Sequence, residues 1–461
     1  MVSSTGFRAR LRGGEARTSC YPENLVSPVS SYRRLFRLAG LTYVVIAFLG
    51  RLPLAMSQLG TLLLVSTATG RYSLGGLAAG ALAIANAVGA PVAAGIADRV
   101  GQRIVVLVQS IAAGLALAGL VTAVRLGAPT AVLVGVAVIA GLSIPQVGPL
   151  ARARWRPITS DAGAGRERLV DAAFSYEGAA DEASFMLGPA LVGAVAVVLD
   201  PGAALLVAGA LLVVFGSWFA LHPTAKLAHA RKPAGSGARV RFVTPAFVVL
   251  GVAQLLIGVV FGATQTGATV LATAEGRPGL AGLVHALLAV GSVLAGLAVA
   301  GLPARFRYEQ RILVFAGGLV LLSAPLLAVT TLGGLVPVVL ALGFVIAPYM
   351  ISVFVLAEQI VPLRRVGAAL TVLAGSTGIG YAVGSGLAGR LADAGGHRPA
   401  FAVTVAAAVL AVILAATFRR RLASARSRSS AARLQRSAAS SDGNGSEWTI
   451  VSDDTARVST T

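Results

Sequence analysis

Long apolar runs alternate with short polar breaks along most of this chain. A helix needs about 20 apolar residues to cross the hydrocarbon core of a bilayer, and that length divides the sequence into twelve runs. Strands of a membrane β-barrel would be about ten residues long with alternating polarity, so the pattern predicts helices. The predicted spans are 38–68, 74–97, 104–124, 129–150, 169–199, 203–221, 244–273, 279–302, 312–331, 333–357, 366–391 and 399–418.

The composition agrees with a chain that is solvated mainly by lipid. Hydrophobic residues make up 56% of the 461 residues and charged residues only 12%, whereas a soluble domain carries about 25% charged residues. This composition excludes an ordinary soluble enzyme. The single cysteine, Cys20, can form neither an intramolecular disulfide nor a cysteine-based metal site.

The net charge of +20 could indicate a nucleic-acid-binding protein, but the basic residues lie between the apolar runs. If both termini are cytoplasmic, the inner segments hold 32 basic residues and the outer segments hold five. That bias is what the positive-inside rule predicts for a membrane protein. We therefore expect a multi-pass protein of the cell (plasma) membrane with both termini cytoplasmic and no nucleic-acid partner.

The twelve runs form two blocks of six, at 38–221 and 244–418. A polar N-terminal segment, 1–37, precedes them, and a basic cytoplasmic linker, 222–243, joins them. Residues 419–461 are rich in Ser, Arg and Asp, and we predict a disordered cytoplasmic tail. Two similar six-helix halves indicate a duplicated transporter whose substrate site lies at the midplane between them.

The loop between the second and third runs carries Asp98, Arg99, Gly101 and Arg103 at a characteristic spacing. In this spacing it resembles the G-x-x-x-D-R-x-G-R-R signature of the major facilitator superfamily. Gly101 would allow a tight turn, and Asp98 could accept hydrogen bonds from helix N-terminal amides or an arginine. The resemblance implies a latch that holds the halves together in the outward-facing state. An ordinary basic turn that sets topology is the alternative. The matching residues are Asp98, Arg99, Gly101 and Arg103, whereas Ala94 and Gln102 depart from the signature.

The resemblance covers about residues 38–418. It implies an all-α polytopic membrane protein with twelve transmembrane helices, arranged as two six-helix pseudo-repeat bundles around a cavity that opens alternately to each side. Residues 50–53, 145–155 and 183–193 are also similar to a bacterial exporter-like branch of the family.

Part of the fifth run resembles the antiporter signature of the family's proton-coupled exporters. Gly188, Pro189 and Gly193 match it. Proline removes a backbone hydrogen bond and kinks a helix, and glycine lets a neighbouring helix pack closely. A kinked helix with no coupling role is the alternative.

Ionisable side chains inside the spans are the strongest candidates for chemistry, because charges at membrane depth are costly and usually functional. Glu177 and Asp181 lie one turn apart in the fifth run, and Arg51 lies at a similar depth in the first run. Since the first and fifth helices are neighbours in the family, we predict that Arg51 pairs with Asp181 or Glu177. Either carboxylate could carry a coupling proton, or the pair could be a permanent structural ion pair.

In the family, the first, fourth, seventh and tenth helices line the central cavity. Each polar residue there could instead form only an interhelical hydrogen bond. The fourth run lacks the arginine of many proton-coupled exporters, unless Arg51 does similar work. The substrate-cavity candidates are Arg51, Gln146, Gln254, Gln265 and Tyr349.

We therefore expect a secondary active transporter that exports small amphipathic molecules in exchange for protons. An importer or facilitator of a small metabolite is the alternative, and a non-transporting membrane sensor or scaffold is a third possibility. The sequence has neither a phosphate-cradling G-x-x-x-x-G-K-[ST] motif nor a zinc motif, so we expect no enzyme activity, cofactor or metal. The expected partners are a small-molecule substrate, protons and membrane lipids, and we expect a monomer.

Overall fold

Helices account for almost all regular structure, and the described residues contain no strand. Within the part of the chain that the structure describes, eleven helical stretches are long and apolar enough to cross a membrane, and Leu280–Gly296 forms a shorter apolar helix. These twelve stretches correspond to the twelve predicted runs, and the predicted all-α polytopic fold is confirmed. The computed structural model describes residues 28–163, 166–229, 244–299, 305–362 and 366–442.

The first half begins with a short helix outside the spans, and three of its six spans are interrupted. The surface helix is α1 (Pro28–Ala39), and the first span consists of α2 (Leu41–Leu49) and α3 (Leu52–Thr69). Three other spans are continuous helices: α4 (Tyr72–Val100), α5 (Gln102–Arg125) and α8 (Arg166–Val198). The fourth span consists of α6 (Thr130–Ser143) and α7 (Val147–Ile158), and the sixth consists of α9 (Pro201–Leu211) and α10 (Ser217–Leu221), joined by a π-helical turn. A short helix, α11 (Thr224–His229), follows the sixth span.

The second half has longer uninterrupted helices. Many of them carry internal proline or glycine, which membrane helices tolerate because neighbouring helices satisfy the freed backbone groups. The helices are α12 (Pro245–Ala274), α13 (Leu280–Val299), α14 (Tyr308–Ser323), α15 (Leu332–Ile360), α16 (Val366–Gly395) and α17 (His397–Asp442).

The two halves touch at one end of the bundle, which we call the closed end. It contains Arg71, Asp200, Glu275 and Asp393. Two helix pairs make most of the contact, α4 with α16 and α8 with α13. A Cβ on Gly76 would clash with the carbonyl oxygen of Ser385, so glycine is required for this close approach.

At the opposite end, which we call the open end, α4 and α16 separate. Pro91 and Ala94 continue the face of α4 that meets α16 at Gly76, yet both are exposed. Ala374 is likewise exposed on α16. The loop at Gly101 lies at this end, and under the positive-inside expectation the open end faces the cytoplasm.

Two predicted boundaries differ from the structure because helices continue past polar residues. The fourth span runs to Ile158 rather than to residue 150. The last helix continues to Asp442, so residues 419–442 are helical although we predicted disorder from residue 419 onward. Extending an existing helix needs no new nucleus, and this stretch is rich in strong helix formers. Residues 443–461 lie outside the described ranges.

Contacts at the open end also hold this C-terminal extension in place. Leu422 is buried against the second-half core. Arg426 Nη2 lies 3.0 Å from Glu309 Oε1 at the start of α14, and Ser429 Oγ donates to the Gln359 carbonyl at 2.7 Å. The extension therefore packs on α14 and α15.

The end of the polar N-terminal segment forms α1. Leu35 is buried, and the Phe36 ring lies 5.2 Å from the Tyr176 ring on α8, while Arg33 and Arg37 are exposed. Residues 1–27 lie outside the described ranges.

Candidate functional site

Two arginines and two carboxylates form a cluster in the first half. Arg51 pairs with Glu177 through Nη2 and Oε2, and its Nη1 lies 3.3 Å from Asp181 Oδ1. Arg152 Nη2 lies 2.6 Å from Asp181 Oδ2. The pairing that we predicted between Arg51 and the fifth span is present, with both carboxylates. Two positive and two negative charges balance, which compensates the cost of removing them from water.

A break in the first span places Arg51 in this position. Helix α2 ends at Leu49, and Arg51 is the N-cap residue of α3. Pro53 lies in the first turn of α3, where its missing N–H costs nothing because that N–H would have no helical acceptor. Arg51 thus lies inside a span that contains no other charged residue.

Glu177 is sealed inside the protein. Its side chain is fully buried, and Trp155 Nε1 donates to its Oε1 at 2.5 Å. The Trp155 ring packs edge-on against Tyr43, at 5.3 Å between centroids, and against Tyr176, at 6.2 Å. These aromatic side chains exclude water from the ion pair of Glu177 with Arg51.

Asp181 differs from Glu177 because its side chain is 28% exposed, and that of Arg152 is 35% exposed. Two turns further along α8, the Pro189 carbonyl faces Gly282 of the second half at the closed end. Asp181 therefore lies at the edge of the helix side that faces the second half. Its exposed fraction distinguishes Asp181 from Glu177, whose side chain has no exposed surface.

A break in the fourth span brings Arg152 to the cluster. Helix α6 ends at Ser143, and α7 starts at Val147. Asn86 Nδ2 donates to the carbonyls of Gly141 and Ile144 at 3.1 and 3.0 Å, and Gln146 Nε2 donates to Asn86 Oδ1 at 2.6 Å. These bonds satisfy polar groups that the break would leave unpaired. Gln146, a predicted cavity residue, thus helps to hold the break.

Glycine at residue 148 lets the fourth and fifth spans approach within the cluster. A Cβ at Gly148 would lie 2.7 Å from Asp181 Oδ1. We expect Gly148→Ala to push the Asp181 carboxylate away from Arg152, to destabilise the protein by about 1–3 kcal/mol, and to reduce the transport activity that the sequence predicts. The measurement is thermal unfolding in detergent together with transport in vesicles.

Gly135→Ala is the matched control, because a Cβ at Gly135 of the same span meets nothing within 4 Å. It should leave both readouts unchanged or raise stability slightly. Equal effects of the two variants would show that the contact between Gly148 and Asp181 is unimportant.

The structure accounts for one departure from the loop signature. Gly101 has φ +95°, a left-handed conformation that glycine adopts without strain, and it joins α4 directly to α5. Arg154 is buried, and its Nε donates to Gln102 Oε1 at 3.0 Å, so an amide acceptor suits this position better than a basic residue. Arg99 and Arg103 are exposed, and the Asp98 side chain lies outside the described part of the chain.

The predicted antiporter-like residues pack α8 against two neighbours. A Cβ on Gly188 would lie 2.6 Å from Ala55 Cβ of the first span, and one on Gly193 would lie 2.7 Å from the Leu283 amide nitrogen of the second half. Pro189 lies between them inside a continuous helix. The three residues thus position α8 between the ion cluster and the closed end.

The cavity candidates of the second half do not contact the cluster. Tyr349 donates to the Ala253 carbonyl at 3.3 Å, and Gln265 Oε1 accepts from Tyr381 at 2.6 Å. Gln254 is buried, and its amide finds no partner among the described residues. Gln265 and Tyr349 therefore serve as interhelical hydrogen-bonding groups in this conformation.

The sequence interpretation missed Arg152 and Trp155, because it ended the fourth span at residue 150 and assigned the following basic residues to a loop. The signal that could have revealed them is the spacing of Arg152 and Trp155, which are three residues apart on one helical face. The fourth span does contribute an arginine, from the helix beyond its break.

Comparison with known proteins identifies the fold. The family profile described as Major Facilitator Superfamily matches residues 278–456. None of the curated proteins searched matches the sequence.

Solved structures match over most of the chain. The nucleoside transporter NupG has a TM-score of 0.63 and 17% identity, over 82% of this chain and 97% of that one. A bacterial homologue of the iron transporter ferroportin, in an inward-facing state, has a TM-score of 0.62 and 16% identity, over 83% and 99%. A bacterial homologue of the human lysosomal transporter Spinster, inward-facing and occupied, has a TM-score of 0.60 and 15% identity, over 86% and 98%.

At these identities the likeness establishes the fold, and the profile match adds the sequence relationship over the second half. The ion cluster lies in the first half, outside the matched residues. Taken with the twelve apolar helices and the closed and open ends, the comparisons show that this chain has the fold of these membrane transporters and that its residues 278–456 match the Major Facilitator Superfamily profile.

Proposed function

We propose that this protein is a proton-coupled secondary transporter that exports small amphipathic molecules, and that Asp181 carries the coupling proton. The observation that carries the proposal is the exposure difference between the two carboxylates of the cluster. Asp181 is 28% exposed beside Arg152, whereas Glu177 is fully enclosed. Of the two predicted carriers, Asp181 has the access that proton exchange requires.

The charge balance supports a switch in the cluster. With both carboxylates ionised, the four side chains are neutral together. A proton on Asp181 leaves one excess positive charge, which weakens the hold of Arg152 and Arg51 on that residue. Since Arg51 lies at the start of α3, Arg152 on α7 and Asp181 on α8, protonation alters contacts among three spans that line or adjoin the gap between the halves.

Alternating access provides the transport cycle. In the structure the halves touch at the closed end and separate at the open end, so a substrate would enter from the open end. If that end is cytoplasmic, as the basic residues predict, the conformation is the inward-facing one. Rocking of the halves would close the open end and present both substrate and Asp181 to the other side.

The resemblance of residues 188–193 to the antiporter signature favours export. Import or facilitated movement of a small metabolite is the runner-up, and it uses the same conformations in the other direction. A non-transporting sensor or scaffold is disfavoured by charged side chains that lie inside the membrane spans at considerable energetic cost.

Everted membrane vesicles test the direction and the coupling together. Vesicles that contain this protein and have an acidic lumen should take up fluorescent amphipathic dyes, and an uncoupler should release them. Vesicles from cells that lack the protein are the control. Higher dye accumulation in intact cells that carry the protein than in cells without it would contradict export and support import.

A further inference from the structure

At the closed end, one acidic side chain joins the two halves through the start of α4. The carboxylate of Asp393, near the end of α16, accepts hydrogen bonds from two backbone amides of the first half. The Tyr72 N–H donates at 2.6 Å and the Ser73 N–H at 3.0 Å. Asp393 thus occupies the position of a helix cap, although it is 320 residues away from Ser73 in sequence.

Helix α4 has no cap from its own segment. The residue before it is Arg71, whose backbone is extended and whose side chain makes no capping hydrogen bond. The first N–H groups of a helix lack intrahelical acceptors, and Ser, Thr, Asp or Asn usually supplies one. A guanidinium group cannot, because it has only donors. The acceptor therefore comes from the other half.

Two other helices that begin at this end are capped from within their own half. Asp200 Oδ1 accepts from the Gly202 and Ala203 amides at 2.7 and 3.1 Å at the start of α9. Thr331 Oγ1 accepts from the Gly334 amide at 3.2 Å at the start of α15. Unlike these caps, the cap of α4 can exist only while α16 lies against it.

Around Asp393, α4 and α16 are tightly packed against each other. A Cβ on Gly389 would clash with the Tyr72 carbonyl oxygen, and Ser385 Oγ donates to the Gly76 carbonyl at 3.2 Å. Small residues thus let the two backbones meet, and Asp393 lies one turn beyond Gly389 at the end of this row. Any separation of the helices at the closed end must break its two hydrogen bonds.

We propose that Asp393 is the latch of the closed end, a positioning residue that stabilises the conformation in which the halves touch there. It must release α4 before that end can open. The inference rests on the alternating-access cycle proposed above. Loss of a helix cap should raise the ratio of open to closed molecules at this end about fivefold, equivalent to about 1 kcal/mol.

Spin labels at the closed end can measure this ratio without a substrate. Leu126→Cys and Thr330→Cys place labels on exposed positions of the first and second halves, and Cys20→Ser removes the single native cysteine. Distances from double electron–electron resonance should show a longer component that increases about fivefold in Asp393→Ala.

A second variant distinguishes loss of the contact between the halves from fraying of the first turn of α4. Arg71→Asp gives α4 a cap of its own and places a like charge near Asp393. It should lengthen the distance between the labels even though α4 stays capped. A closed end that remains shut in both variants would overturn the proposal.

Asp200→Ala is the matched control, because it removes a helix cap that lies within one half. It should leave the distances between the labels at the native values. A change equal to that of Asp393→Ala would show that loss of any helix cap destabilises the closed end, and it would contradict the proposed latch. The measurement needs neither substrate nor proton gradient. If the spin-label distances contradict the latch, the transport proposal is unaffected. If the native protein transports nothing, a measured change in these distances would still support the latch.

Discussion

Asp181→Asn should abolish proton-driven transport while preserving movement of substrate down its own gradient. Asparagine has nearly the shape of a protonated aspartic acid, and its carbonyl oxygen can still accept from Arg152 or Arg51. It cannot release or bind a proton. In proteoliposomes, accumulation driven by a pH gradient should therefore fall to the level of protein-free vesicles, whereas exchange of labelled for unlabelled substrate should continue.

Asp161→Asn is the matched control, since Asp161 is an exposed acid at the open end, away from the cluster. It should leave both assays unchanged. Unaltered proton-driven accumulation in Asp181→Asn would end the proposed role of Asp181 and leave the cluster as a structural ion network. Loss of both activities would point to misfolding, which Asp181→Glu would help to separate because it keeps the carboxylate.

Arg51→Ala should cause the largest loss of stability of any single change in the first half. Glu177 would be left enclosed without its charged partner, with Trp155 as its remaining side-chain donor. Removing one partner of a buried ion pair costs about 3–5 kcal/mol. The free energy of unfolding, measured by denaturant titration in mixed micelles, should fall by that amount.

Two comparisons make this result specific. Arg125→Ala breaks the pair of Arg125 with Asp200, in which the side chains are 61% and 51% exposed, and should cost about 1 kcal/mol or less. Arg51→Met combined with Glu177→Leu removes both buried charges and should recover most of the stability. Equal losses for Arg51→Ala and Arg125→Ala would mean that the cluster contributes little to folding.

The spans and the pairing of the first and fifth helices could be predicted because both follow from the cost of placing polar groups in lipid. Apolar length locates the spans, and isolated charges within them must find partners. The same criterion failed at residues 150–158, where the helix continues although polar residues begin. Arg152 was missed for that reason, since an arginine near the end of a span looks like a loop residue until the break at Pro145 is seen.

Contacts between residues that are far apart in the sequence could not be predicted from the sequence. Arg71 at the start of α4 shows only that a cap is absent, and nothing local indicates that Asp393 supplies it. The helical extension beyond residue 419 was missed because composition alone indicated disorder, whereas its attachment depends on Leu422 and on the pairing of Arg426 with Glu309. The hydrophobic pattern of the sequence predicts the helices. The contacts between helices can be identified only from the three-dimensional structure.

Proton flux in the native protein is the most direct test of the account. A concentration gradient of a transported amphipathic molecule is imposed across proteoliposomes that contain a pH-sensitive dye. The dye should show that protons move in the direction opposite to that molecule. The same flux should be absent in vesicles with Asp181→Asn. Movement of that molecule through the native protein with no accompanying change in luminal pH would contradict proton-coupled exchange.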